Sequence, residues 1–191
     1  MIGNDIVCLA TANESKRLNS QRFLDKIFTN EEQAIIKNAP NPNVAIWQLW
    51  SVKESAYKSW IQQGFNPVFS PKKIVCKRHK QNFIANIEMQ IFEVAITTTD
   101  QYIYAETLDK NAKIISDCFH LNKSNYYAQS FHVKERLKKR VAMEFNLNFS
   151  EIDIKKSAKH IPVLTYKGEN LPIKITLSHH GNFGAYAMAE V

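Results

Sequence analysis

Asp5 stands in an otherwise apolar stretch near the start of the chain, with Ile2, Ile6 and Val7 around it. A carboxylate buried among such residues is costly unless it is paired or bound to a metal. The position is therefore either a hydrogen-bonded structural acid at the end of a strand or a ligand for a cation. Spacing alone leaves both interpretations open.

Glu54 and Lys58 form a second chemical pair, four residues apart in a strongly helical segment. Residues at this spacing share one face of a helix, about 5–6 Å apart at Cβ. An exposed ion pair of little energetic value would account for the spacing. The surrounding aromatic residues, however, indicate a half-buried face. Carboxylates and a lysine there suit a site for a divalent metal and a phosphate, because Mg²⁺ prefers one or two carboxylates plus phosphate oxygens.

Ser178-His179-His180-Gly181 forms a third set at the end of an apolar segment. Neighbouring side chains on a strand point to opposite faces, so the pattern predicts that one histidine faces a cleft and the other faces solvent. Two histidines without acids at ligand spacing do not predict a zinc site. The alternative is a hairpin turn at Gly181-Asn182 with ordinary polar residues.

The elements that must position these residues follow an α+β order. The pattern predicts a strand over 2–9, helices over 13–28, 30–38 and 44–62, and strands over 74–77, 83–96 and 102–107. A second series has a strand near Ile114, a helix over 130–146, and strands over 152–155, 163–166, 173–177 and 185–191. The segment Thr29-Asn30-Glu31-Glu32 predicts a capping box for the second helix.

The composition is that of a folded protein of one or two small domains, with 191 residues, 45% of them hydrophobic and 23% charged. It excludes collagen, coiled coils and disordered chains. Five glycines argue against a glycine-rich phosphate loop. The three cysteines are far apart and predict a reducing compartment rather than a disulfide framework. With neither a signal peptide nor a membrane span evident, we expect a cytoplasmic protein.

The three sets, in this order, resemble the signature motifs of the 4'-phosphopantetheinyl transferases. That family has G-x-D near the start of a strand, W-(S/T/A)-x-K-E-(A/S)-x-x-K on a helix and S-H at a strand end. The matching segments here are Gly3-Asn4-Asp5, Trp50-Ser51-Val52-Lys53-Glu54-Ser55-Ala56-Tyr57-Lys58 and Ser178-His179. The order is that of the compact holo-acyl-carrier-protein synthases, whereas the length and the second half resemble the larger two-lobed transferases.

The resemblance implies an α+β fold of two similar, pseudo-symmetric lobes, each an antiparallel sheet packed with helices. We expect a first lobe over residues 1–108, which carries the Asp and Lys-Glu motifs, and a second over 109–191, which carries the Ser-His motif. The active site would lie at their interface. Because both lobes belong to one chain, a monomer is expected.

The implied reaction is a Mg²⁺-dependent transfer of 4'-phosphopantetheine from coenzyme A to a serine of an apo acyl or peptidyl carrier protein, with release of adenosine 3',5'-bisphosphate. Fatty-acid, polyketide and peptide-synthetase carriers all remain possible substrates. Asp5 and Glu54 match the metal-binding acids, and Glu54 is also the candidate base. Lys58 matches the lysine that neutralises the transferring phosphate, with Lys53 beside it. Ser178 and His179 match positions that hold the coenzyme A phosphates.

Two positions depart from the family pattern. Val7 stands where two-lobed members have a third acid, and Ile161 stands where the larger enzymes commonly have a lysine that touches coenzyme A. We expect Lys159, or one of Lys138, Lys139 and Arg140, to replace that lysine. The net charge of +7 suits phosphates and acidic carrier proteins. The basic segment from Lys16 to Lys26 is either the carrier-facing element or an ordinary solvated charged face.

Two other functions fit parts of the sequence. A basic nucleic-acid-binding domain would account for the net charge and for the cluster from Arg136 to Arg140. It also requires an exposed aromatic platform or a long basic stripe, whereas the aromatic residues here concentrate on the acid-bearing helix. A non-catalytic relative that binds coenzyme A or a carrier protein would account for Val7 and Ile161. The three intact residues Asp5, Glu54 and Lys58 favour the enzyme, which is expected to bind neither nucleic acid nor a membrane.

Overall fold

The computed structural model describes residues 1–14, 20–122 and 125–190. Its first half begins with strand β1 (Asn4–Cys8) and continues through helices α1 (Leu9–Asn13), α2 (Gln21–Ile27), α3 (Asn30–Lys37) and α4 (Pro42–Gln62). Strands β2 (Ile74–His79), β3 (Asn82–Ile87), β4 (Gln90–Thr98) and β5 (Tyr102–Thr107) follow. Together with β1 they form an antiparallel sheet in the order β1-β5-β4-β3-β2.

Helix α4 packs across this sheet because its apolar residues fall on a wide stripe. Leu49, Val52 and Ala56 are almost completely buried and join strand residues such as Phe83 and Val94 in one core. Asn41 caps the first turn by accepting a hydrogen bond from the Val44 N–H. The helix therefore has a fixed start and a fixed face against the sheet, which determines where its polar side chains point.

The second half contains strand β6 (Ile114–His120), helix α5 (Tyr126–Phe145), and strands β7 (Ile152–Lys156), β8 (Pro162–Tyr166), β9 (Glu169–Asn170), β10 (Ile173–His180) and β11 (Phe183–Glu190). They form two antiparallel three-stranded sheets, ordered β10-β11-β6 and β7-β8-β9. The buried face of α5, with Val133, Leu137 and Val141, packs on Ile175 and Met188. The core of this half is thus separate from that of the first.

Strands β1 and β10 meet along the seam between the halves. Strand β1 pairs with β5 on one side only, so alternate backbone N–H groups on its other side need acceptors. Side chains of β10 supply them in a regular series: Asn4 donates to Thr176 Oγ1 at 3.3 Å, Ile6 to Ser178 Oγ at 2.9 Å and Cys8 to His180 Nδ1 at 3.0 Å. This side-chain ladder sets the register of the Ser-His segment against the Asp5 strand.

The predicted α+β class, with antiparallel sheets packed against helices, is confirmed. The two halves are not built alike, because the first has one five-stranded sheet and the second has two smaller ones. The lobe bounds 1–108 and 109–191 stay a prediction. They fall in the interval between Thr107, where β5 ends, and Ile114, where β6 begins.

Three elements differ most from the sequence-based expectation. The strand predicted over 83–96 is two strands, because the chain turns at Glu88, whose φ is +54°. Helix α5 begins at Tyr126, earlier than expected, since Asn125 caps it. The helix predicted over 13–28 corresponds to the end of α1 and to α2, and Lys16 and Arg17 between them lie outside the described residues. In the part of the chain that is described, no helix has the length and hydrophobicity to cross a membrane.

Candidate active site

Gly3 lets strand β1 approach helix α4 closely enough to bring their polar residues together. A Cβ atom at this position would lie 1.9 Å from the Ser55 carbonyl oxygen and 2.7 Å from the Ser59 nitrogen, both of them backbone atoms. Any side chain here would push the strand away from the helix. The glycine of the first motif is therefore a packing requirement for placing Asp5 beside Lys58.

Asp5 links all three motifs through one carboxylate oxygen. Its Oδ1 accepts a hydrogen bond from Ser178 Oγ at 3.0 Å and lies 3.3 Å from Lys58 Nζ. Lys58 Nζ also donates to the Asn4 carbonyl oxygen at 2.7 Å. Ser178 Oγ in turn accepts the Ile6 N–H. Strand β1, helix α4 and strand β10 thus converge on the Asp5 carboxylate.

Glu54 lies one turn before Lys58, in the same cleft, and it is half-buried. Among the described residues, no hydrogen bond or ion pair reaches its carboxylate. Burial raises the pKa of Glu54 to about 7, the Lys58 charge opposes that rise, and the Asp5 charge adds to it. Glu54 is consequently an acid that titrates near neutral pH and is open to an incoming proton donor or cation.

His179 and His180 both line the cleft, whereas the strand pattern predicted that one of them would face solvent. Their side chains still alternate as in a regular strand, since His180 extends the Thr176–Ser178 series toward β1 and His179 faces Gln129 on α5. Both reach the cleft because it lies at the end of β10, before the Gly181-Asn182 turn. The Gly181 φ of +55° matches the predicted turn chemistry. Burial lowers the pKa of each histidine, so both side chains are predominantly neutral at pH 7.

The cleft that these groups share has a volume of about 520 Å³. Its polar lining consists of Asp5, Glu54, Lys58, Ser178, His179 and His180, and its walls include Trp47, Trp50 and Tyr126. A cationic amine, hydroxyl and imidazole groups and two carboxylates in one aromatic-walled cleft suit an anionic ligand accompanied by a metal. The structure brings together the sequence-predicted residues Asp5, Glu54, Lys58, Ser178 and His179.

Lys53, predicted to bind coenzyme A beside Lys58, lies on the opposite side of α4 and is completely buried. Its Nζ donates to Glu32 Oε1 at 2.8 Å, to the Pro71 carbonyl oxygen at 3.0 Å and to the Ile74 carbonyl oxygen. All three of its protons are therefore used inside the protein. The prediction for Lys53 is wrong: one residue of helical spacing turns it about 100° away from Glu54 and out of the cleft.

Lys159 lies outside the cleft lining, with its Nζ bound to the Gly64 carbonyl oxygen just beyond the end of α4. The other basic candidates are also engaged elsewhere. Lys138 pairs with Glu135, Arg140 pairs with Glu144, and Lys139 lines a separate groove beside Arg136. A role for Lys159 in binding coenzyme A stays a prediction, and none of these side chains takes the place of the family lysine in the cleft itself.

The residues present fit a divalent cation. Asp5 and Glu54 offer carboxylate oxygens, and the Glu54 carboxylate has no partner among the described residues. In that part of the chain, no cluster of three or more His, Cys, Asp or Glu side chains forms a complete metal site. Mg²⁺ is commonly held by one or two carboxylates and completed by water and substrate phosphates. The donor set therefore suits Mg²⁺ bound together with a phosphate, with Val7 in the cleft at the position of the third acid.

Gln129, Tyr126 and Trp47 belong to the site although the motifs did not reveal them. Gln129 Oε1 lies 3.0 Å from His179 Nδ1. The Tyr126 ring packs on the His179 ring, with 4.8 Å between the two ring centroids. The sequence held one signal for Gln129, which is a polar residue on the apolar stripe of Val133 and Leu137. Nothing in the sequence places Trp47 and Tyr126 in the same cleft, because they come from different halves of the chain.

The comparison with protein-family models agrees with the motifs. The family model of the 4'-phosphopantetheinyl transferase superfamily matches residues 1–112, which include Asp5, Glu54 and Lys58. A structure similar to this chain is the crystal structure of the Thermotoga maritima holo-[acyl-carrier-protein] synthase, with 10% sequence identity, a TM-score of 0.43 and coverage of 88% of this chain and 83% of that one. No curated protein matches the chain.

The family model covers more than half of the chain, and its first two motifs converge in the cleft. The chain belongs to the 4'-phosphopantetheinyl transferase superfamily.

Proposed function

We propose that the protein transfers 4'-phosphopantetheine from coenzyme A to a serine of an apo carrier protein, with Mg²⁺, and releases adenosine 3',5'-bisphosphate. The observation that carries the proposal is the convergence of Asp5, Glu54, Lys58, Ser178 and His179 on one cleft. These residues come from three distant parts of the chain, so their meeting is a property of the fold. Membership of the superfamily supports the reaction class.

Asp5 and Glu54 are the residues that would hold the metal ion. Bound there, Mg²⁺ would neutralise negative charge on the phosphate oxygens during transfer. The protein groups supply positioning and further charge neutralisation, which are the main needs of phosphoryl transfer.

Glu54 serves as the base toward the carrier serine. The serine oxygen forms a new bond to the phosphorus that carries the pantetheine, the bond from that phosphorus to the adenosine bisphosphate breaks, and the serine proton passes to Glu54. Without a bound cation, burial raises the pKa of this carboxyl to about 7, so the site gains from taking up either a cation or a proton. The absence of a hydrogen-bond partner among the described residues leaves the carboxylate available.

Lys58 neutralises the transferring phosphate. Ser178 and His179 would hold phosphate oxygens of the donor, after Ser178 turns its hydroxyl proton from Asp5 to the phosphate and His179 takes up a proton at Nε2. Lys58 is half-buried and is held by Asp5 Oδ1 and by the Asn4 carbonyl oxygen. This arrangement orients the amine while leaving 25% of its side chain exposed. A lysine restrained in this way acts as a fixed positive charge on a phosphate.

The partner we propose is an acidic acyl or peptidyl carrier protein. The net charge of +7 favours an acidic protein surface as well as the phosphates of coenzyme A. Carriers of fatty-acid, polyketide and peptide-synthetase type share this chemistry. We further propose that the protein works as a monomer in the cytoplasm.

The test is intact-mass spectrometry of several apo carrier proteins after incubation with the protein, coenzyme A and Mg²⁺, with EDTA as the control. We expect a metal-dependent gain of one phosphopantetheine on at least one carrier. No gain on any carrier, from protein shown to be folded, would contradict the proposal. Coenzyme A binding in that case would favour the non-catalytic relative, for which Val7 in the cleft is the supporting observation.

A further inference from the structure

His180 is held in one tautomer by a backbone group. The Cys8 N–H donates a hydrogen bond to His180 Nδ1 at 3.0 Å. A backbone N–H can only donate, so Nδ1 must be the unprotonated ring nitrogen, and the proton of the neutral imidazole is on Nε2. Burial, which lowers the pKa of this histidine, favours the same neutral form.

His179 is held in the opposite tautomer. Gln129 Nε2 donates to the Gly181 carbonyl oxygen at 2.8 Å, which fixes the orientation of the amide because a carbonyl oxygen only accepts. Gln129 Oε1 therefore faces His179 Nδ1, at 3.0 Å, and that nitrogen carries the proton. In its neutral form, His179 presents a lone pair at Nε2, whereas His180 presents an N–H at Nε2.

The Nε2 of His180 has no hydrogen-bond partner among the described residues. Within that part of the chain, the buried polar side-chain atoms without a partner are Asn4 Nδ2, Trp47 Nε1, Trp60 Nε1 and Arg140 Nε. His180 Nε2 is not one of them, so it is accessible to solvent. Because His180 lines the cleft together with Lys58 and Ser178, the cleft contains an N–H donor whose protonation is set by the fold.

We propose that His180 is a further ligand-binding residue, whose Nε2–H donates a hydrogen bond to an anionic phosphate oxygen in the cleft. The inference that the site binds a phosphate rests on the tautomer of His180 and on the neighbouring Lys58. The further statement that this phosphate belongs to coenzyme A rests on the proposed function. A neutral donor of this kind adds a directional hydrogen bond to the point charge of the lysine. His180 can donate this hydrogen bond without taking up a proton. Neutral His179 has a lone pair at Nε2, so it could donate to a phosphate oxygen only after it is protonated there.

Two substitutions separate this donor from the structural role of the ring. In His180→Asn, the amide oxygen can occupy the place of Nδ1 and accept the Cys8 N–H, but the donor at Nε2 is lost. In His180→Gln, the amide nitrogen can occupy the place of Nε2, but the acceptor for Cys8 is lost. His79→Asn is the control, because His79 is exposed on β2, outside the cleft.

The experiment is isothermal titration calorimetry of the wild type and the three variants with coenzyme A and, separately, with inorganic pyrophosphate, alongside thermal unfolding. We expect His180→Asn to weaken binding of both ligands about tenfold while Tm stays near that of the wild type. We expect His180→Gln to lower Tm while retaining affinity within about threefold, in titrations run well below its Tm. His79→Asn should change neither quantity.

Unchanged affinity in His180→Asn would overturn the inference and leave the proposed function standing. Equal losses of affinity in the Asn and Gln variants would also overturn it, because they would make His180 a positioning residue only. Binding of pyrophosphate but not of coenzyme A by the wild type, with loss of pyrophosphate binding in His180→Asn, would support the inference and contradict the proposed function. A wild type that binds neither ligand would overturn both.

Discussion

Two lysines on helix α4, five residues apart, take part in ion pairs of opposite character. Lys53 pairs with Glu32 at 2.8 Å, and neither side chain is exposed. Lys58 lies 3.3 Å from Asp5, with 25% and 12% of the two side chains exposed. The same chemical pair thus occurs once inside the protein and once in the cleft, and the surroundings decide what each pair does.

The buried pair is completely satisfied. Glu32 Oε1 accepts from Lys53 Nζ and from the Cys76 N–H, each at 2.8 Å, and its Oε2 accepts the Thr29 N–H at 2.8 Å. The Glu32 carboxylate therefore connects its own helix, α3, to helix α4 and strand β2. A buried pair with every donor and acceptor used has nothing left with which to bind a ligand, so its role is to hold helix α4 in place.

The cleft pair is incomplete. Lys58 has two partners, and the neighbouring Glu54 has none among the described residues. Burial, which the Lys58 charge offsets only in part, raises the pKa of Glu54 to about 7, and this costs stability in the folded state. In the proposed function, this difference assigns one face of α4 to structure and the other to binding and proton transfer.

The largest expected effect is on the buried side. Lys53→Met leaves the Glu32 carboxylate buried without its cation, and we expect the free energy of unfolding to fall by about 3–5 kcal/mol. Chemical denaturation monitored by tryptophan fluorescence measures this change. A loss below about 1 kcal/mol would show that the Lys53–Glu32 pair does not hold the helix.

The matched change in the cleft is Lys58→Ala. We expect the turnover number to fall about a hundredfold, because the phosphate loses a positioned charge, while the free energy of unfolding changes by less than about 1 kcal/mol. Carrier modification followed by mass spectrometry gives the rate, and carrier affinity is measured separately. If only carrier affinity fell, Lys58 would be a docking residue.

The raised pKa of Glu54 predicts a pH dependence of stability. A carboxyl whose pKa rises from 4.5 to about 7 on folding binds its proton more tightly in the folded state. Its contribution therefore becomes increasingly unfavourable as the pH rises from about 4.5 to 7. Because Glu54 is partly exposed, we expect Glu54→Gln to be more stable than the wild type by about 1–3 kcal/mol above pH 7, in EDTA. A difference that did not grow across this pH range would contradict the raised pKa.

The smallest expected effect is at the capping box that orients Glu32. Thr29→Ala removes the hydroxyl that accepts the Glu32 N–H at 3.2 Å, and should lower the free energy of unfolding by about 1 kcal/mol. Turnover measured well below the unfolding transition should be unchanged. A marked loss of turnover in the folded variant would mean that the two faces of α4 are coupled more tightly than their contacts indicate.

The sequence predicted local features well, because they depend on residues close in the chain. The Thr29–Glu32 capping box is present as expected. The resemblance of the three motifs to the family also allowed a shared site to be predicted for Asp5, Glu54, Lys58 and Ser178. The turn at Glu88 escaped prediction, since it lacks the glycine or asparagine that usually marks a positive φ.

What depends on long-range packing could not be read from the sequence. Lys53 and Lys58 point about 140° apart around α4, but only the packing of α3 and β2 decides which of the two is covered. The β1–β10 ladder depends on residues 172 positions apart, such as Ile6 and Ser178. The tautomer of His180 depends on the same ladder, and no local pattern contains it.

The most direct test of the account is the activity of Glu54→Gln, measured in a sample whose unfolding is also recorded. We predict that carrier modification by coenzyme A and Mg²⁺ falls at least a hundredfold, although the variant is folded and at least as stable as the wild type. Lys53→Met, assayed well below its lower Tm, should keep a larger share of the activity. Turnover of Glu54→Gln at the wild-type rate would contradict the claim that this cleft carries out the transfer.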